Sequence, residues 1–156
     1  MRRLPITLAL AAAAVAVSLP LLAADPLPWP WKAKTPPDPA LVELSHVDDL
    51  SVVIDKSNSI LTITVKAQAP SPDYSELQLT YRLGDPKDRI FSFDARGRAP
   101  QNTAAALLTP VTIESSYSDA PIGKFDVIEV YSNDNCVAYS VTDSKSVPCT
   151  GQVSPH

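Results

Sequence analysis

Ser59–Ala67 reads SILTITVKA, with apolar residues at every second position. Leu61, Ile63, Val65 and Ala67 fall on one side, and Thr62, Thr64 and Lys66 on the other. An extended chain sends successive side chains to opposite faces, so this alternation marks a strand with one dry face and one wet face. Ser75–Leu83, SELQLTYRL, repeats the pattern, with Leu77, Leu79, Tyr81 and Leu83 set against Glu76, Gln78, Thr80 and Arg82. Upstream, LVELSHV (41–47) and LSVVID (50–55) are weaker candidates. Downstream come RIFSFDA (89–95), LLTPVTIESSY (107–117), FDVIEVYS (125–132) and CVAYSV (136–141). Phe91, Phe93 and Ala95 share a face.

The joints between these runs are rich in turn-forming residues: DKSN at 55–58, APSPDY at 69–74, GDPKD at 84–88 and NDN at 133–135. Asn-Asp-Asn between two strong strands predicts a short hairpin. Pro110 inside a strand run predicts an edge or a bulge, because proline cannot donate to a ladder. No helical period extends beyond about two turns. QNTAAALL (101–108) either starts a short helix or leads into the next strand. Seven to eight strands over some 110 residues predict an all-β, antiparallel β-sandwich, with a small β-barrel as the alternative.

The first 24 residues have a different character. Arg2 and Arg3 precede an apolar stretch from Leu4 to Ala24 that ends in small residues. That order of basic, apolar and small describes a secretory signal cleaved after Ala23 or Ala24. An uncleaved anchor is the alternative, since about 20 apolar residues can span a bilayer, although Pro20 interrupts the last turn. Residues 25–40, DPLPWPWKAKTPPDPA, hold six prolines and read as an extended linker. The division is therefore a signal peptide at 1–24, a proline-rich linker at 25–40 and a β-sandwich domain at 41–153. Trp29 and Trp31 lie in the linker. They serve either as a docking arm for a partner or as a cover folded back over an open edge of the domain.

The only two cysteines, Cys136 and Cys149, enclose twelve residues. An exported chain meets an oxidising compartment, so they are expected to form a disulfide. Closing so small a loop stabilises the fold by about 3 kcal/mol. No histidine lies close enough for a zinc site, and the spacing is far from Cys-x-x-Cys. The two cysteines lie close together in sequence, unlike the distant pair of an immunoglobulin domain.

Removing Arg2 and Arg3 from the 13 basic residues leaves 11 against 17 acids, a charge of about −6. No basic stripe is present to displace counterions, so nucleic acid is not an expected partner, and stable membrane insertion is not expected once the signal is removed. No Gly-x-Ser-x-Gly elbow or phosphate-cradling loop occurs. His46 and His156 are the only histidines, and neither has the context of a catalytic base. Asp48 and Asp49 are expected on opposite faces of a strand, and GDPKD and SNDN supply too few oxygens for calcium unless two loops combine. No catalytic, cofactor-binding or metal residue is therefore expected, and no cofactor.

DARGRAPQN (94–102) displays Arg96 and Arg98 around a glycine. Guanidinium forks suit carboxylates, so these two are candidates for binding an envelope or extracellular protein, or for baiting a trypsin-like protease. A solvated hairpin whose arginines pair with Asp88 and Asp94 is the bland alternative. Tyr81 is expected in the core, and Tyr131 and Tyr139 as cross-strand neighbours beside the Asn-Asp-Asn turn.

In order, LTITVKAQAP, LQLTYR, RIFSFDARGRAP, LLTPVTIESSY and VIEVYSNDN resemble a group of small exported bacterial proteins of uncharacterised function, over about residues 60–135. The resemblance implies an exported β-rich domain and no site residues. These features together suggest a non-enzymatic exported binding module. A carbohydrate-binding accessory module is the alternative, and a small hydrolase the more distant one.

Overall fold

The computed structural model describes residues 25–29, 36–82, 89–102 and 105–151. The expected signal segment and Trp31 lie outside them, as do the GDPKD turn and His156. Ten strands follow one another: β1 (Leu27–Pro28), β2 (Leu41–Glu43), β3 (His46–Asp55), β4 (Ile60–Ala69), β5 (Ser75–Tyr81), β6 (Ile90–Arg98), β7 (Thr109–Ser118), β8 (Val127–Tyr131), β9 (Cys136–Ser140) and β10 (Lys145–Val147). No helix occurs among the described residues, so 105–108 runs into β7 as irregular chain.

The strands form two sheets, as the alternation predicts, and the sheets do not close into a barrel. One has the order β1-β7-β4-β3, and the other carries β10, β9, β8, β6, β2 and β5. Arg96 of β6 pairs with both Glu43 and Gln78, so β2 and β5 flank β6 on opposite sides. Phe93 pairs with both Tyr81 and Val130, which puts β8 on the same side as β2. The pairing is not wholly antiparallel, because β1–β7 and β6–β8 run parallel. The second of these follows from connectivity: the chain leaves β6, crosses to the other sheet as β7, and returns as β8.

The dry faces meet in one core. Leu61, Ile63, Val65 and Ala67 of β4 share it with Phe91, Phe93 and Ala95 of β6 and with Ile128 and Val130 of β8. Burying each of the larger of these side chains stabilises the fold by about 1.5–3 kcal/mol. Tyr81 joins them as expected.

Trp29 also lies in this core, only 1% exposed. Its indole meets Phe91 and Tyr117 edge-on at 4.9 and 5.6 Å and stacks on Phe125 at 6.2 Å. The first part of the proline-rich segment therefore does not hang free. Leu27 and Pro28 extend the sheet beside Tyr117 and Ser118, and the next residue enters the interior. Two residues suffice because the area buried by the indole, not the ladder, holds the arm.

Pro110 lies where β7 pairs with β4 on one side only, since β1 reaches no further than Tyr117 and Ser118. Asp48 and Asp49 depart from the expected opposite faces. A bulge between Val47 and Asp49 re-aims the chain, so Asp48 accepts from Gln68 at 2.6 Å while Asp49 meets Lys66 at 3.4 Å. Gln68 and Lys66 lie two apart on β4 and share its outer face. The DKSN turn is held by the Asp55 carboxylate, which accepts from the Ser57 and Asn58 amides and from Asn58 Nδ2.

Candidate functional site

Where β3 approaches β9 the sandwich has a seam, closed at one end and open at the other. The closed end is stitched by the 132–135 hairpin. Asn133 N–H donates to the Leu44 carbonyl and Asp134 N–H to that of Ser45. The Asn135 amide pairs with both backbone groups of Val47 at 2.8 Å, and its Nδ2 lies 3.3 Å from His46 Nε2.

Toward the other end the sheets splay, leaving a cavity of about 530 Å³. Val52 and Ile54 of β3 form one wall, Tyr139 and Val141 the facing wall, and Ile122 and Phe125 the floor. Alternation explains part of the lining: Val52, Ile54 and Tyr139 are inward positions of β3 and β9, whereas Ile122, Phe125 and Val141 come from the turns beside β8 and β9. Lys56 and Asp126 stand at the rim. Asp126 is matched by Arg89, whose Nε and Nη2 donate to its two oxygens at 2.6 and 2.9 Å. That hydrogen-bonded pair holds the Asp126 carboxyl below its ordinary range. Lys56 has no acidic partner among the described residues. The slot thus offers six apolar side chains, the hydroxyls of Thr142 and Ser144, and one uncommitted cation. Its lining holds neither histidine nor cysteine.

A second polar constellation occupies the outer face of the larger sheet. Glu129 is 2% exposed. It accepts from Tyr131 Oη at 2.7 Å and from the Thr150 amide and hydroxyl at 2.7 and 2.8 Å. Burial alone would raise its pKa, but the bonds from Thr150 and Tyr131 outweigh burial and hold it below the ordinary glutamate value. Burial and the neighbouring carboxylate push the Tyr131 phenol up to about 12. Arg82 lies over the Tyr131 ring at 3.7 Å and donates to Asp94 at 2.6 Å.

The expected disulfide closes this face. Cys136 and Cys149 are bonded, with Cα atoms 6.2 Å apart, and so hold Thr150 over Glu129. Gly151 follows where any Cβ would overlap the Tyr131 hydroxyl. The network bonds within itself, so it reads as a sealed structural unit.

The residues singled out in the sequence are dispersed. Arg96 and Arg98 stand at the end of β6, not on a loop. Arg96 Nη2 meets Asp94 at 3.2 Å and Glu43 at 3.5 Å, while Arg98 forks onto Glu76 and also reaches Asp38 at 2.8 Å. Asp94 was an anticipated partner; Glu43, Glu76 and Asp38 come from other strands and turns. Trp29 is interior and not presented to solvent. Tyr131 faces outward and Tyr139 faces the slot, with Cys136 and Ile128 opposite them, so they are not cross-strand neighbours. Among the described residues no group of histidine, cysteine and acid side chains is placed to hold a metal ion.

Sequence reasoning missed the slot, because its six apolar side chains come from three separate segments. The available signal was that Val52, Ile54 and Tyr139 are inward positions near strand ends.

No family model matches the chain, and no curated protein or solved structure matches it either.

Proposed function

We propose that this chain is an exported, non-catalytic β-sandwich module that binds its partner through the slot between β3 and β9. The observation that carries the reading is the 530 Å³ cavity with apolar walls and a single unpaired cation at its rim. Sites for small organic groups span about 300–1,000 Å³, and this one combines six apolar side chains with the polar Lys56, Asp126, Thr142 and Ser144. Such a slot suits an apolar side chain or ligand arm bearing an anionic end, with Lys56 receiving the charge. The partner is then an envelope or extracellular protein that presents such a group. Export is supported by the disulfide, which is compatible with an oxidising compartment, and by the basic–apolar–small order of residues 1–24.

The test is an amide chemical-shift titration with naphthalene-2-carboxylate as probe. Shifts are expected at Val52, Ile54, Ile122 and Val141, weakened by Lys56→Gln and abolished by Val141→Trp, which fills the slot. Shifts centred on Arg82, Arg96 and Arg98, or none at all, would overturn the reading.

A further inference from the structure

Asn135 donates through Nδ2 to two acceptors, the Val47 carbonyl at 2.8 Å and His46 Nε2 at 3.3 Å. The orientation of its amide is fixed independently of the histidine. The Val47 N–H and the Ser132 hydroxyl both donate to Oδ1, at 2.8 and 2.6 Å, so the nitrogen is the atom that faces His46. An amide nitrogen donates and does not accept. His46 Nε2 is therefore an acceptor, and the ring carries its one proton on Nδ1.

Protonation of the ring puts a hydrogen on Nε2 and sets donor against donor. Imidazole changes charge roughly between pH 5 and 8, so the conflict arises in mild acid. Turning the Asn135 amide over would break its bonds to Val47 and Ser132. Turning the His46 ring away breaks only the ring's own contact, so the ring is the part that moves.

A second partner lies on the same face of the sheet. His46 stands opposite Gln68 in the ladder, and Gln68 Nε2 donates to Asp48 Oδ2 at 2.6 Å. The bulge between Val47 and Asp49 brings Asp48 round to that outer face. Asp48 makes no ion pair among the described residues. The other charged groups around the ring are already engaged. Lys66 on β4 meets Asp49 at 3.4 Å, and Asp134 of the hairpin accepts from Asn133 Nδ2 at 2.7 Å. β9 carries no charged residue.

We propose that His46 is a two-position switch. Neutral, it accepts from Asn135 and adds to the stitch that ties β3 to the 132–135 hairpin of the opposite sheet. Protonated, it swings to Asp48 and leaves the stitch. The joint between the two sheets is thereby sensitive to acid.

Nitrogen-15 NMR on the purified protein between pH 8 and pH 5 tests this. At pH 8 the His46 ring should show the Nδ1–H tautomer. As the ring gains its second proton, the Asn135 side-chain amide signals should shift, and the ring should gain nuclear Overhauser contacts to Asp48. Exchange at the Val47 amide, corrected for the intrinsic effect of pH, should quicken about two- to tenfold, the range of one modest hydrogen bond. His46→Gln offers Asn135 an oxygen acceptor and has no proton to gain, so it should fold as the wild type does and lose this pH dependence. Asp48→Asn should keep the pH 8 contact and lose the second position of the ring. An Nε2–H tautomer at pH 8 overturns the proposal. So does a protonated ring that stays beside Asn135 or never approaches Asp48, or an unchanged pH dependence in His46→Gln.

Discussion

The side chain of Asn135 replaces a missing strand for Val47, donating to its carbonyl and accepting from its amide at 2.8 Å each. The residue sits in the turn between β8 and β9, yet it closes the edge of the opposite sheet. The two sheets are therefore joined by side-chain and backbone bonds at one end and splay apart at the other.

Asn135→Ala strips both partners from Val47 and one from Ser132, whose hydroxyl donates to Asn135 Oδ1. Leaving such groups unpaired costs about 1–3 kcal/mol. Asn135→Asp keeps the acceptor and loses the donor, so it should fall between wild type and alanine. Urea unfolding measures the series; equal midpoints for all three chains would refute the bridging role.

Reduction of Cys136–Cys149, or replacement of both by serine, should cost about 3 kcal/mol by freeing the unfolded chain. It should also loosen Thr150 from Glu129, and the Tyr131 phenol should then titrate lower than in the oxidised protein. A stability loss without any change in the phenol would show that Thr150 stays in place unaided.

Alkaline stability follows from two tyrosines. Tyr117, raised by burial, and Tyr131 both titrate near 12 in the folded state. Their ordinary value is near 10. Between these values the unfolded chain has lost protons that the folded chain keeps, so stability contributed by both groups is fully present below about pH 10 and is lost as pH rises toward 12. Phenolate absorbance should show late titration of Tyr117 and Tyr131. Glu129→Gln should bring the Tyr131 transition earlier and leave that of Tyr117 unchanged.

The Glu129 carboxyl acts in the acid range. Its folded pKa lies below its ordinary value. Its contribution is therefore present above the unfolded value, about 4.3, and is lost as pH falls through the folded one. The wild-type chain should lose more stability than Glu129→Gln when unfolding midpoints at pH 6 and pH 2 are compared.

Trp29→Ala should be the most damaging core substitution, at about 3–5 kcal/mol. Trp29→Phe should recover part of that loss by keeping the edge-on contact with Phe91. In a Trp31→Phe background the remaining indole should emit at short wavelength in the native state and shift to the red on unfolding. A solvent-like native spectrum would place the indole outside the core.

The strongest strands were legible because one face of each is dry. β4, β5 and the first half of β6 alternate so strictly that their inward sets could be named in advance. Periodicity carries no information about partners, however. That β8 pairs with β6 in parallel depends on β7 crossing to the other sheet, which no residue of β6 or β8 records. β1 and β10 are too short to show a period, and β1 contains a proline. The end of β6 looked like a loop because Gly97 interrupts it. In the fold that glycine admits the Leu77 side chain, which comes within 2.8 Å of where a Cβ would stand. The turns at DKSN and NDN were legible from their chemistry, whereas the second role of Asn135, on a strand 88 residues away, was not.

The burial of Trp29 also bears on the order of synthesis. The indole leaves the ribosome early, but Phe91, Tyr117 and Phe125, which enclose it, come 62 to 96 residues later. At about 5–20 residues per second, the first of its cage-forming residues to be made waits several seconds for the last. The core around Trp29 therefore cannot close until most of the chain exists, and an indole made early is among the last groups to be enclosed.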